Sequence, residues 1–237
     1  MKPEALKLLQ TAVENLGWIN DEHFCKTAED GRYYAEQALK DIRAAIFMET
    51  PAPSMKFNIY DFTYDDEKSR PTMCCVHYED GFKVASDSHL LVAVKDAYPE
   101  DLEGKNIDKK GEECKGNYPK WKMIFPSEKQ EAEAQEYRID FDKLTGWKRE
   151  HNAEKKMKGK YGARKAFVKV GPAFFNLELL TRFAKFMKAE GTDTLRIIDF
   201  RRAAACYAEN GSKGLIMPTF VDEKNIDPER QIIWEAA

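Results

Sequence analysis

Apolar residues recur at helical spacing twice near the start of this 237-residue chain. Leu6, Leu9, Val13 and Leu16 share one face, and Gly17 follows as a stop. A second helix is predicted from about Ala28 to Phe47. Its stripe is Ala35, Leu39, Ile42 and Ile46, with Lys40 and Arg43 off that stripe. Pro51-Ala52-Pro53-Ser54 breaks the pattern and reads as a linker, so residues 1–50 are expected to form a helical segment.

The period then falls to two. Lys56–Tyr64 alternates and reads as a strand, and Pro71–Tyr78 reads as another. Asp80-Gly81 tolerates the positive φ of a tight hairpin turn, so Phe82–Ser86 is expected to return beside Pro71–Tyr78. Asp87-Ser88 turns the chain again into a strand at Leu90–Lys95. Residues 96–120 are polar and glycine-containing, and read as loop. Trp121–Phe125 reads as a short strand ended by Pro126, 128–136 as solvated helix or loop, and Tyr137–Phe141 as a strand. The basic stretch 143–165 contains Gly146, Gly159 and Gly162 and reads as a mobile loop.

The last third is clearer. Phe167–Val170 is a predicted strand. Asn176 caps a helix carrying Leu177, Leu180, Ala184 and Met187 on one face, with Arg182, Lys185 and Lys188 off it. Gly191 ends that helix. Strands follow at Thr194–Phe200, Ala203–Ala208 and Gly214–Met217, with Asn210-Gly211 as a turn. The order β-α-β-β-β here echoes α-β-β-β earlier. The expected architecture is α+β, with repeated β-α-β-β-β units, antiparallel sheets and an N-terminal helical segment. Its predicted divisions are 1–50, 51–127 and 128–237.

Composition narrows the function classes. Apolar residues make up 43% and charged residues 33%, an ordinary globular balance. Apolar runs such as Leu90–Val94 are too short to span a bilayer, and the first residues lack an apolar signal segment. A cytoplasmic protein without membrane partners is expected. Cys25, Cys74, Cys75, Cys114 and Cys206 show neither C-x-x-C nor zinc spacing, so free thiols and no metal or other cofactor are expected. Net charge is −3, which gives no global pull toward nucleic acid. The charge is uneven, however. Residues 143–169 are strongly basic, whereas 96–113, 128–136 and 222–229 lean acidic. A basic surface can grip phosphates despite a negative total, and a solvated loop explains the same run equally well.

Few residues suggest catalysis. His77, Asp87 and His89 can be read as metal ligands or an acid/base set. An Asp-Ser turn capped by its own side chain explains Asp87 more simply. Neither a phosphate-binding glycine loop nor a nucleophile elbow occurs, so no catalytic residue is assigned.

Four blocks, in order, resemble the bacterial DNA polymerase sliding-clamp family (polymerase III beta subunit). Val76-His77-Tyr78-Glu79-Asp80-Gly81-Phe82-Lys83-Val84-Ala85-Ser86-Asp87-Ser88-His89-Leu90-Leu91 resembles the family's middle-domain strand pair. Gly116-Asn117-Tyr118-Pro119-Lys120-Trp121, running on to Pro126, is similar to its Gly-x-Tyr-Pro-Asp-Tyr…Pro segment. Phe175-Asn176-Leu177-Glu178-Leu179-Leu180 is similar to its Phe-Asn-x-x-Tyr-Leu helix start, and Leu215-Ile216-Met217-Pro218 to its Val-Met-Pro. The family has three domains per subunit, and this chain has room for at most two shortened ones.

The resemblance implies a non-enzymatic tethering factor that self-associates around double-stranded DNA and recruits a DNA polymerase or other clamp-binding proteins. It implies non-specific phosphate contacts by Lys40, Arg43, Arg182, Lys185 and Lys188. It implies a partner-peptide pocket at Leu91, Pro126, Leu215, Met217 and Pro218. Two alternatives stay open: a clamp-fold interaction module that ignores DNA, and a metal-dependent enzyme at His77, Asp87 and His89. The apolar Gln231-Ile232-Ile233-Trp234 stretch is expected to dock on the nearest domain or into a pocket.

Overall fold

The structure is a computed structural model that describes residues 3–19, 31, 33–35, 37–38, 42, 57–66, 68–158, 165–221 and 231–236. The chain divides into two compact units, residues 1–54 with 110–112, and residues 55–109 with 113–237. The first unit contains helix α1 (Pro3–Ile19). Its expected apolar stripe does not hold throughout. Val13 is 68% exposed, while Ala12 and Asn15 are buried.

The second unit is built on an antiparallel eight-stranded sheet. Its strands are β1 (Val76–Glu79), β2 (Phe82–Ser86), β3 (Leu90–Lys95), β4 (Asn106–Ile107), β5 (Gln135–Arg138), β8 (Thr194–Ile197), β9 (Ala204–Tyr207) and β10 (Lys213–Ile216). The spatial order is β4-β1-β2-β3-β10-β9-β8-β5. Four strands thus come from residues 76–107 and four from 135–216, meeting at the β3–β10 seam. A smaller sheet, β11-β6-β7, holds β6 (Lys165–Val170), β7 (Ala173–Asn176) and β11 (Gln231–Ala236). The backbone of the Gln231-Ile232-Ile233-Trp234 stretch adds to β6 in parallel, with Trp234 opposite Val168.

Helices α2 (Glu128–Ala132), α3 (Phe141–Lys158) and α4 (Leu177–Ala189) complete the unit. Asn176 caps α4 as expected, its Oδ1 accepting from the N–H groups of Glu178 and Leu179 at 2.8 and 3.3 Å. Leu177, Leu180, Phe183, Ala184, Phe186 and Met187 are buried, so α4 packs against β3, β10, β6 and β7. The β1–β2 turn is as expected, with Asp80 and Gly81 both at positive φ.

Several expected elements differ. Of the strand expected over Lys56–Tyr64, the described residues 57–64 form none. Ile59–Phe62 forms a 3-10 turn because the Asn58 side chain accepts from Tyr60 N and Thr63 N–H bonds back to Tyr60 O. Pro71–Cys74 is also a 3-10 turn, and strand structure begins only at Val76. Trp121–Ile124 is a third 3-10 turn rather than a strand. Of the basic stretch expected as a loop, residues 143–158 belong to helix α3, started by Asp140, whose Oδ1 accepts from Asp142 and Lys143 N–H. No α-helix occurs among the described residues 57–127, so the repeat is carried by strands in the first half and by strands plus helix in the second.

Each face of the large sheet has its own cover. Strand alternation sends Val76, Tyr78, Ala85, Leu90, Val92, Leu195, Ile197, Ala204, Cys206 and Ile216 to one face, under α4 and the small sheet. Val84, Leu91, Ala93, Ala205 and Leu215 go to the other face, beneath Trp121. That second cover exists because β4 and β5 are opposite edges of the sheet. The chain between them, including Tyr118–Phe125, crosses the face as a strap. Burying apolar area on both faces stabilises such a sheet by about 25 cal/mol per Å².

Candidate functional site: the strand seam and the basic helices

At the seam, Leu91 pairs with Leu215 and Leu90 with Ile216. Leu91 and Leu215 lie on the strap face, at 4% and 3% exposure, so they form a floor rather than an open wall. Met217, two residues beyond Leu215, is 39% exposed, and its N–H donates to His89 O at 2.8 Å. Pro218 is half-buried just after it. Pro126 is half-buried at the end of the strap, next to Phe125, which packs against the same cluster. Of the five predicted pocket residues, Leu91 and Leu215 meet at the seam, Met217 and Pro218 follow directly on β10, and Pro126 ends the strap beside Phe125.

Sequence reading missed the aromatic half of this region. The Trp121 Nε1–H donates to Glu79 Oε2 at 2.6 Å, and its ring packs edge-on against Phe82 and Phe125. The Lys213 ammonium sits 4.5 Å from the Phe125 ring centroid, 5.3 Å from Trp121 and 5.7 Å from Phe82. Burial lowers its pKa from the ordinary lysine value, Glu131 pulling back the other way. The signal was present as two aromatics flanking Trp121 in the amphipathic order of β2 and the strap. Reading Trp121–Phe125 as a strand hid it.

The predicted phosphate contacts separate into three groups. Arg182 is tied inside the fold. Its guanidinium pairs with the Asp87 carboxylate, donates to Asp61 O at 3.0 Å, and lies 6.0 Å over the Phe62 ring. Lys185 and Lys188 are exposed on α4 and have no ion-pair partner among the described residues. Lys40 and Arg43 lie outside the described residues.

Helix α3 adds cations that the sequence reading had assigned to a loop. Arg149 and Lys156 are exposed, whereas Lys148 and Lys155 pair with Glu178 at the start of α4. Those lysines, Lys155 first, hold the Glu178 carboxyl below its usual range. Between them on the same stripe sits His151, 3% exposed, with no hydrogen-bond partner at Nδ1. Burial, followed by Lys155, lowers the His151 pKa.

The metal-enzyme reading finds no shared centre. His77 stacks on Tyr118 with ring centroids 4.7 Å apart, its Nδ1 2.9 Å from Asn106 Oδ1. Asp87 Oδ1 accepts from His89 and Leu90 N–H at 2.9 and 2.7 Å, closing its own turn, while Oδ2 holds Arg182. His89 is exposed. Among the described residues no group of three His, Cys, Asp or Glu side chains could hold a metal ion.

This seamed sheet, with α4 behind it, matches solved structures of one kind. The DnaN sliding clamp (DNA polymerase III subunit beta) of Bartonella birtlesii, bound to griselimycin, superposes at a TM-score of 0.50 with 13% identity. The fold is that of a DNA sliding clamp. The match covers 68% of this chain and 62% of that clamp, so the chain spans under two thirds of the clamp's length. A putative DNA polymerase III beta subunit from Eubacterium rectale matches at a TM-score of 0.49 and 10% identity, over 70% of this chain and 62% of that one. No family model matches the sequence, and neither does any curated protein. The likeness to sliding clamps is thus one of fold, at 13% sequence identity. No helix among the described residues is long and apolar enough to cross a membrane.

Proposed function

We propose that this protein is a clamp-like tethering factor that contacts duplex DNA without reading sequence and holds partner proteins at the β3–β10 seam. The observation that carries the reading is the seam itself, where a buried Leu91–Leu215 pair is followed, just past β10, by an exposed Met217 on a clamp-fold sheet. A thioether adapts to varied apolar side chains, and a rigid leucine floor loses little entropy when covered. On the DNA side, Lys185 and Lys188 supply the unpaired cations, with Arg149 and Lys156 of α3 as further candidates. Arg182 positions α4 against the β2–β3 turn rather than reaching outward. Non-enzymatic recruitment of a polymerase or other clamp-binding protein, and self-association around DNA, belong to the same reading.

The test is binding of a labelled 30-base-pair duplex at about 50 and about 200 mM salt. The expected result is affinity that falls steeply with salt and is independent of sequence. The double substitution Lys185→Glu with Lys188→Glu should weaken binding and flatten that slope. Absence of binding at the lower salt removes the DNA half. The second reading, an interaction module that ignores DNA, then stands, and it is favoured by the internal engagement of Arg182.

A further inference from the structure

We infer that the rim around Met217 selects peptides carrying carboxylates beside their apolar anchor. The inference rests on the partner-site reading of the seam and specifies the chemistry of its ligand.

Met217 lies at the end of the sheet shared by the 87–89 turn, which Arg70 touches, and the 198–203 loop. On one side its N–H bonds to His89 O. The preceding residue, Ser88, is held at φ 78°, and its hydroxyl lies 2.6 Å from Arg70 Nη1. On the other side, Ile216 pairs with Ala204, which brings the 198–203 loop between β8 and β9 to the same end of the sheet. That loop presents Phe200, 42% exposed, with the Arg201 guanidinium 5.0 Å above its ring.

The carboxylate within this loop is already engaged. Asp199 Oδ1 accepts from the N–H groups of Arg201 and Arg202 at 2.7 and 3.0 Å, and Oδ2 lies 3.4 Å from Arg202 Nε. Asp87, in the neighbouring turn, is held by Arg182. Arg201 and Arg70 have no carboxylate partner among the described residues. An exposed thioether and phenyl ring thus share this end of the sheet with guanidiniums that have no carboxylate partner among the described residues. An apolar side chain with an adjacent Asp or Glu satisfies both features, because a planar guanidinium accepts a carboxylate in a bidentate fork.

The experiment uses the full chain and three decapeptides, each with a central Phe-Leu pair flanked by two Glu, two Gln or two Lys on either side. Readouts are the Met217 methyl resonance and fluorescence anisotropy. The acidic peptide is expected to bind about tenfold more tightly than the neutral one, as summed rim charge pairs predict. The lysine peptide is expected to bind weakest, and the spread should shrink at high salt. In the Arg201→Glu, Arg202→Glu double variant, the order should reverse while the neutral peptide still shifts Met217.

Equal affinities for all three peptides, or an order unchanged in the variant, overturns the inference and leaves the seam reading intact. A Met217 resonance that none of the peptides moves removes the seam reading as well. Displacement of the acidic peptide by a 12-base-pair duplex, with the duplex itself moving Met217, reassigns the arginines to nucleic acid and overturns the inference.

Discussion

The two faces of the eight-stranded sheet are built by different means. The helix face is covered by a preformed element, α4, whose Phe183 and Phe186 press so close to β10 that Gly214 is required there. A Cβ at that position would meet Phe186 at 2.7 Å and Phe183 at 2.8 Å. The strap face is covered by an irregular segment with its own 3-10 turn, pinned by one indole hydrogen bond and one lysine among three rings. The first face is large and almost wholly apolar, and the second is small and polar at its margins. A rigid face supplies stability to the domain. The thin face ends near the exposed Met217, which is where the proposed partner would dock.

The strongest way to test that contrast is Phe183→Ala. Truncating a fully buried phenylalanine on the helix face should cost about 3–5 kcal/mol, read as a lowered urea midpoint for the whole second unit. A purely local loss, confined to α4, would show that the helix face is not the common core. Arg182→Ala should come next, at about 2 kcal/mol, because it frees Asp87 and Asp61 O together. Duplex DNA affinity should stay unchanged in that variant if Arg182 is a positioning residue.

Trp121→Phe should cost about 1 kcal/mol by removing the hydrogen bond to Glu79. Its effect should appear as faster amide exchange in 118–126, with β8–β10 left protected. An equal rise in exchange in both regions would erase the distinction between the faces.

The last prediction concerns pH. His151 is held neutral in the folded state, its pKa lowered from 6.5 by burial and by Lys155 and Lys148, with Glu178 and Glu154 opposing. The unfolded chain binds the extra proton first as pH falls. Its contribution is therefore complete above about 6.5 and lost as pH drops from there through the lowered folded value. Between pH 7.5 and 5.5 the wild type should lose more stability than His151→Gln. Parallel losses in the two proteins would remove His151 from the account.

Much of the clamp-like plan was legible in the chain. The Asp80-Gly81 turn, the Asn176 cap and the period-two runs at 82–95 and 204–216 each carry a local signal that the tertiary structure does not override. The misses share a cause. Alternation in 56–64 mimicked a strand, yet the Asn58 side chain and the Thr63 N–H close a tight turn there. Helix α3 fully buries only Leu144 and His151, with Phe141 and Trp147 half-buried against the core, so its inward stripe is short and its many lysines read as a loop. Its start signal, Asp140, and the i,i+4 pair Glu154–Lys158 were the usable clues. In the candidate site, Leu91, Leu215 and Met217 are proposed through a resemblance, not read from a local pattern. The Arg182–Asp87 pair joins residues 95 apart in sequence, which no local pattern reports.

The seam also sets a hazard during biosynthesis. β3 leaves the ribosome about 120 residues before its partner β10. In that interval a strand with five buried residues out of six exposes an unpaired edge. Nascent chains at this stage are the ones most prone to aggregate or to engage chaperones. Translation that stalls before residue 213 should yield insoluble fragments, although the same strand is among the best-protected parts of the finished molecule.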